Sequence, residues 1–183
     1  KAEIRIEDLY EAFSRKDIKG IFCVKGGYSA SQLLDKIDYE LIKNNPKVFV
    51  GYSDVTNLHI VFNQKCNLGT YHGPMVKSNM INDFNDYTKT SFFEAMEKNE
   101  TRYEEPENMP LSILTEGKMP SESISGVLAG GNMAIIVTTL GTQYEIDTKD
   151  KILFLEDVDE EIGSLNRMLT HLKYAGKFSD CKA

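Results

Sequence analysis

The stretch KVFVGYSDVTNLHIVFNQK, residues 47–65, decides the fold. Its first five residues form an apolar run too short for a helix and suited to a strand buried on both faces. From there Val55, Leu58 and Phe62 recur at spacings of three and four, the period of a helix with an apolar face. The chain therefore turns from strand to helix across a residue or two, and Ser53 stands in that corner.

Upstream, GIFCV (20–24) reads as a buried strand ending at Gly26-Gly27, and the charged, amphipathic KAEIRIEDLYEAF (1–13) as a helix with a stripe of Ile6, Leu9, Tyr10 and Phe13. Residues 29–46 give two short helical stretches, stopped by Asn44-Asn45-Pro46. Downstream, a helix is expected from about Thr88, then a polar, proline-bearing stretch from Asn99 to Pro120 that reads as a linker. SISGVLAGGN (123–132) is expected to be a strand running into a glycine turn, and MAIIVTTLG (133–141) a buried helix ending at Gly141. KILFLED (151–157) reads as a strand ending in acids, and a helix closes the chain over Ile162 to Tyr174.

Alternating strands and helices imply an α/β fold with an open, mostly parallel sheet in the amino-terminal domain and part of a second α/β domain. The boundaries expected are an amino-terminal domain over 1–105, a linker over 106–120, and part of a carboxyl-terminal domain over 121–183. Ligands of open parallel sheets bind outside the carboxyl ends of the strands, where Gly26-Gly27 and Ser53 both lie.

Composition narrows the function. The 183 residues are 41% hydrophobic with a net charge of -7, and acidic and basic residues are interspersed, which argues against a nucleic-acid partner. No apolar run is long enough to span a membrane, and a cytoplasmic setting is expected. Cys23, Cys66 and Cys181 are too scattered for a zinc knuckle or a disulfide framework. Glycines 26–27 and 130–131 form neither a dinucleotide fingerprint nor a phosphate loop, so no nucleotide cofactor is expected, and no metal.

The corner Gly51-Tyr52-Ser53-Asp54 could expose a hydroxyl and aim helix N–H groups at an oxyanion. Val55 stands where the second glycine of G-x-S-x-G would be, so that superfamily is not supported. From spacing alone, Ser53 or Asp54 capping the helix explains the residues better. Gly26-Gly27 could supply half of an oxyanion hole together with the N–H of Asp54, or be a plain turn. Glu156 ends a strand, where it could orient an imidazole or simply be solvated, and Asp157 would point the other way. Of the histidines, His59 lies in the helix after Ser53 and His171 in a late one, while His72 sits in a glycine- and proline-bearing loop that could line a cleft. A cysteine hydrolase built on Cys66 near His72 is a weak rival, since no anion-stabilising turn surrounds Cys66.

Taken in order, these segments resemble the LD-carboxypeptidase family of muramoyltetrapeptide carboxypeptidases and microcin-immunity hydrolases. The resemblance rests on KGGYSASQLLDKIDYELIKNNPKVFVGYSDVTNLH (25–59), YHGPM (71–75), GVLAGGN (126–132), LGTQYEIDTKDKILFLEDV (140–158) and LNRMLTHL (165–172). With these motifs in register, the helix-cap explanation of Ser53 loses. The resemblance implies a serine peptidase with a Ser-His-Glu triad, in which Ser53 is the nucleophile and Glu156 the acid. Gly27 and Asp54 would offer oxyanion-hole amides, and Gly26, Tyr28, His72 and Asn132 are candidate substrate-binding residues. The implied substrate is a peptide or murein fragment from which a terminal D-amino acid is released, with neither metal nor cofactor.

The family's histidine lies in a glycine-rich loop downstream of the glutamate, and nothing here matches it, so the expectation is that this sequence lacks both ends of the family's chain. A homodimer is the expected assembly. The rivals are an immunity-type hydrolase of peptidyl-nucleotide antibiotics and a non-catalytic peptide-binding relative. The absence of tryptophan between Ser53 and Glu156 weighs toward murein over the immunity substrate.

Overall fold

The computed structural model describes residues 2–82, 84–98, 112 and 124–183. Helix α1 (Ala2–Ser14) leads into β1 (Gly20–Phe22); a 3-10 turn (Ala30–Leu33) and α2 (Tyr39–Asn44) then lead to β2 (Val48–Gly51). A second 3-10 turn, Ser53–Val55, joins β2 to α3 (Thr56–Cys66), which is followed by β3 (Tyr71–His72) and α4 (Asp86–Glu97). Strand β4 (Leu128–Asn132), α5 (Met133–Val137), β5 (Ile152–Glu156), α6 (Ile162–Tyr174) and α7 (Lys177–Asp180) complete the described order.

Strands β1, β2 and β3 form one parallel sheet in that order, and β4 pairs with β5 in a second parallel sheet. Parallel pairing brings the carboxyl ends of neighbouring strands to one edge. Gly51 is opposite His72 in the first sheet, and Asn132 is opposite Glu156 in the second.

The helices form where local chemistry allows. The Asp38 side chain caps α2 by accepting from Leu41 N at 3.0 Å, and Asn85 caps α4 by accepting from Thr88 N at 2.9 Å. Helix α3 ends at Asn67, whose φ of 51° is the left-handed conformation that asparagine tolerates at helix ends. The stripe expected on α1 reaches the interior at Phe13, which packs with Phe49 of β2 and Phe62 of α3. Each of these fully buried rings contributes about 1.5–3 kcal/mol of apolar transfer.

Helix α3 serves two cores, which is why it is buried nearly all round. Leu58, Val61 and Phe62 join the core under the first sheet, while Ile60 joins Met133, Ile136, Ile146 and Leu172 beside the second. Gln64 fastens this junction, donating to Glu145 O at 3.0 Å and accepting from Asp147 N at 2.8 Å.

Two sequence expectations change. The glycines at 130 and 131 form no turn: they lie inside β4, because the chain there runs against β5 with no room for a side chain. A Cβ on Gly130 would stand 1.8 Å from Phe154 O, and its φ of +147° is one that L-residues rarely adopt. The helix expected over 133–141 is shorter, since α5 ends at Val137 and the chain passes through turns to Gly141 at φ +79°. The linker expected over 106–120 lies outside the described residues, residue 112 apart.

Candidate active site

Ser53 has a φ of +61°, in the left-handed region, where a non-glycine residue costs about 1–3 kcal/mol and persists only when its surroundings hold it. The capping positions of the 3-10 turn and of α3 are Tyr52 and Val55, and neither makes a side-chain cap hydrogen bond. The Asp54 carboxylate reaches across to the glycine loop, where its Oδ2 accepts from Ser29 N and Ala30 N, both at 2.9 Å. That carboxylate is buried, so it fastens the segment after Gly26-Gly27 to the corner that carries Ser53.

Gly26 lies directly against the serine. A Cβ there would stand 2.9 Å from Ser53 Oγ and 3.8 Å from Asp54 N, so only a glycine lets the loop come so close to the hydroxyl and the amide beside it. Gly27 faces Asp54 Oδ2, at 3.6 Å from where its Cβ would be. Tyr28 projects into solvent at 91% exposure.

The corner is backed by His59, a residue whose part sequence reading missed, since a histidine within a helix gives no signal of its own. Its two ring nitrogens lie 2.8 Å from Gly51 O and 2.8 Å from Thr70 Oγ1. A carbonyl can only accept, so Nε2 carries the proton and Nδ1 accepts from the Thr70 hydroxyl. Burial depresses the His59 pKa to about 4, against the opposing effect of its bond to Gly51. The ring is therefore neutral at pH 7 and ties α3 to the end of β2.

The second sheet reaches the same corner through Thr56, three residues after Ser53. Asn132 N donates to Thr56 Oγ1 at 3.1 Å, and a Cβ on Gly131 would lie 2.7 Å from the same oxygen. Glu156, paired with Asn132, is thereby brought to the edge where β2 and β3 end. Its Oε1 is buried and accepts no hydrogen bond among the described residues.

His72 Nε2 is 3.7 Å from that oxygen. The ring of His72 meets Phe154 edge-on at 5.3 Å between centroids, and lies 6.0 Å from Tyr52 and 6.3 Å from His59. Burial pushes the His72 pKa below the usual imidazole value, and the Glu156 carboxylate partly opposes this.

Asn132 and Asp157 have a different task. Asn132 Oδ1 accepts from Ile135 N at 3.1 Å, and its Nδ2 donates to Asp157 Oδ1 at 3.1 Å. Asp157 also accepts from Ala134 N at 2.8 Å and from Val158 N at 3.0 Å, so this acid organises the start of α5. A cavity of about 570 Å³ opens beside the cluster, with His72, Phe154, Gly130 and Phe92 in its wall but neither Ser53 nor Glu156. Cys66 is buried at the end of α3, where burial raises its pKa to about 11, the opposite of an activated thiol. Among the described residues no three histidine, cysteine or carboxylate side chains converge as metal ligands, and no helix is long and apolar enough to cross a membrane.

Residues 1–73 match the LD-carboxypeptidase N-terminal domain and residues 125–183 the LD-carboxypeptidase C-terminal domain, in that order along one chain. The chain belongs to the LD-carboxypeptidase family. A Bacillus subtilis (strain 168) relative named "Probable murein peptide carboxypeptidase" is 41% identical over 177 residues, covering 96% of this chain and 54% of the relative. Among solved structures, a muramoyltetrapeptide carboxypeptidase from Oxalobacter formigenes superposes with a TM-score of 0.84 at 28% identity, covering all of this chain and 59% of its own. An MccF-like protein from Bacillus anthracis str. Ames superposes with a TM-score of 0.81 at 30% identity, covering all of this chain and 61% of its own. The mixed α/β architecture with small parallel sheets is that of these LD-carboxypeptidase neighbours. The chain spans a little over half the length of the curated relatives it matches.

Proposed function

We propose that the protein is a serine-type LD-carboxypeptidase that releases a terminal D-amino acid from a murein tetrapeptide, with Ser53 as nucleophile and Glu156 as the acid of a Ser-His-Glu triad. The observation that carries the reading is the conformation of Ser53, a non-glycine residue at φ +61° in a strand-to-helix corner, with Gly26 close against its hydroxyl. Strain of this kind persists where the surroundings over-determine it, and here Asp54, His59 and Thr56 all fasten the corner.

In the proposed reaction the imidazole comes from the glycine-rich loop that the family carries downstream of its glutamate. It takes the proton of Ser53 Oγ as that oxygen attacks the carbonyl carbon of the scissile amide. The tetrahedral oxyanion is held by the N–H groups of Gly27 and Asp54, at the start of the helical segment. Collapse breaks the C–N bond, and the imidazolium returns its proton to the departing D-amino acid. Water, deprotonated by the same imidazole, then attacks the acyl carbon, and the proton passes to Ser53 Oγ as the acyl–oxygen bond breaks. Glu156 orients the ring and stabilises its cationic form. On this reading the site is shared by an amino-terminal domain over 1–105 and part of a carboxyl-terminal domain over 121–183, which contribute Ser53 and Glu156 respectively.

The test is D-alanine release from murein tetrapeptide by the full-length protein and by Ser53→Ala. Loss of at least about a thousandfold is expected for a removed triad nucleophile. Equal activity in the variant would remove Ser53 from the mechanism. The likeness to the microcin C7 self immunity protein MccF, solved in complex with aspartyl sulfamoyl adenosine, at 25% identity and a TM-score of 0.83, favours a second substrate class, peptidyl-nucleotides. Assaying both substrates side by side separates the two.

A further inference from the structure

We infer that His72 is a positioning residue for Glu156, its Nε2–H supplying the hydrogen bond that the buried Oε1 lacks and leaving Oε2 to face the triad imidazole. The inference rests on the proposed role of Glu156, yet it arises from a separate observation. Oε1 of Glu156 is buried with no hydrogen-bond partner among the described residues, although the side chain as a whole is one-third exposed. A buried carboxylate oxygen left without a donor is costly, so its surroundings can be expected to hold one in reach.

His72 is placed to be that donor. Its Nε2 lies 3.7 Å from Oε1, and its ring makes no hydrogen bond among the described residues, so no other acceptor competes for it. The separation exceeds a formed hydrogen bond by about half an ångström, a gap of the kind that closes when substrate fills a site. The ring is steered toward Glu156 by its neighbours. Phe154, two residues before Glu156 on β5, meets it edge-on, while Tyr52 and His59 lie beside it.

Among the described residues, the titratable groups in contact with the ring are Glu156 from β5, His59 from α3 and Tyr52 after β2. His59 cannot take the donor's place, since Gly51 O and Thr70 Oγ1 already occupy its two nitrogens. Asp157 is engaged elsewhere, its oxygens accepting from Asn132, Ala134 and Val158 at the start of α5. A carboxylate offers about four lone-pair sites, so one oxygen bound by His72 leaves the other free to hold a second imidazole. His72 thus acts on the reaction through Glu156 and touches no reacting atom.

Two measurements on the full-length protein test this. The imidazole titration of His72, followed by NMR and assigned from the signals lost in His72→Gln, is expected to move to lower pH in Glu156→Gln, because the carboxylate that favours the charged ring is gone. An unchanged titration would overturn the pairing whether or not Ser53 is the nucleophile. In the steady state, His72→Ala is expected to lower kcat by about 10- to 100-fold with KM little changed, the scale of a misplaced catalytic group. His72→Gln, whose amide can also donate, is expected to recover much of that loss. A glutamine variant as slow as the alanine variant, or an alanine variant as fast as wild type, would refute the positioning role. Ser53→Ala assayed alongside judges the serine reading on its own.

Discussion

Replacing Asp54 by alanine removes a buried carboxylate that holds two backbone N–H groups, those of Ser29 and Ala30, each at 2.9 Å. Hydrogen bonds to a charged group contribute about 1.5–3 kcal/mol each, and Ser29 is only half buried, so the lower end applies and the expected loss is about 3 kcal/mol. Asp54→Asn keeps an acceptor oxygen and loses only the charge, which should cost about half as much. The assay is equilibrium urea unfolding. With a slope of about 2 kcal/mol per molar, the alanine variant should unfold about 1.5 M earlier than wild type. The clasp also sets the glycine loop against Ser53, so labelling of Ser53 by a fluorophosphonate should slow in Asp54→Ala under conditions where the variant remains folded. An alanine variant within about 0.5 kcal/mol of wild type, the range of an ordinary surface change, would refute the clasp. So would an asparagine variant that loses as much as alanine.

Gly26→Ala would put a methyl group 2.9 Å from Ser53 Oγ, so fluorophosphonate labelling should fall by about a hundredfold, as expected for a misplaced reacting group, while the thermal midpoint barely moves. Labelling at the wild-type rate would show that the loop can yield. Gly130→Ala would drive a Cβ to 1.8 Å from Phe154 O, with an expected loss of about 3 kcal/mol or more. In a domain of this size that lowers Tm by about 10 °C, measured by calorimetry. His59 is held neutral in the fold with its pKa depressed to about 4 from the ordinary 6.5. The unfolded chain takes up that proton first, so the contribution of His59 is fully present above pH 6.5 and is lost as pH falls toward 4, for a total of roughly 3 kcal/mol. His59→Gln, which cannot charge, should flatten the acid limb of stability against pH; an unchanged limb would remove His59 as its cause.

Much of the architecture was legible because it depends on short-range patterns. The apolar run before Gly51 and the three-and-four spacing after Val55 specify β2 and α3, and Ile162–Tyr174 forms α6 with the expected limits. The expectation at Gly130-Gly131 failed for a physical reason. Paired glycines mark either a turn or a close approach between backbones, and sequence carries no sign of which; the backbone of β5 decides it. For Asp157, alternation along a strand gave only an expected direction; that its side chain accepts from Asn132, Ala134 and Val158 was not legible in the sequence. Asp54 was identified for its amide, whereas its side chain fastens residues 24 and 25 positions earlier in the chain.

The sequence by itself determined the strand-to-helix corner, the order of the elements and the family, since periodicity, glycine placement and motif order are local properties of the chain. Only the tertiary structure decided that Gly26 presses on Ser53, that Thr56 receives the end of β4, and that His72 and Glu156 meet. Contacts between residues tens of positions apart depend on strand register and helix packing, to which many parts of the chain contribute at once, so no single segment encodes them.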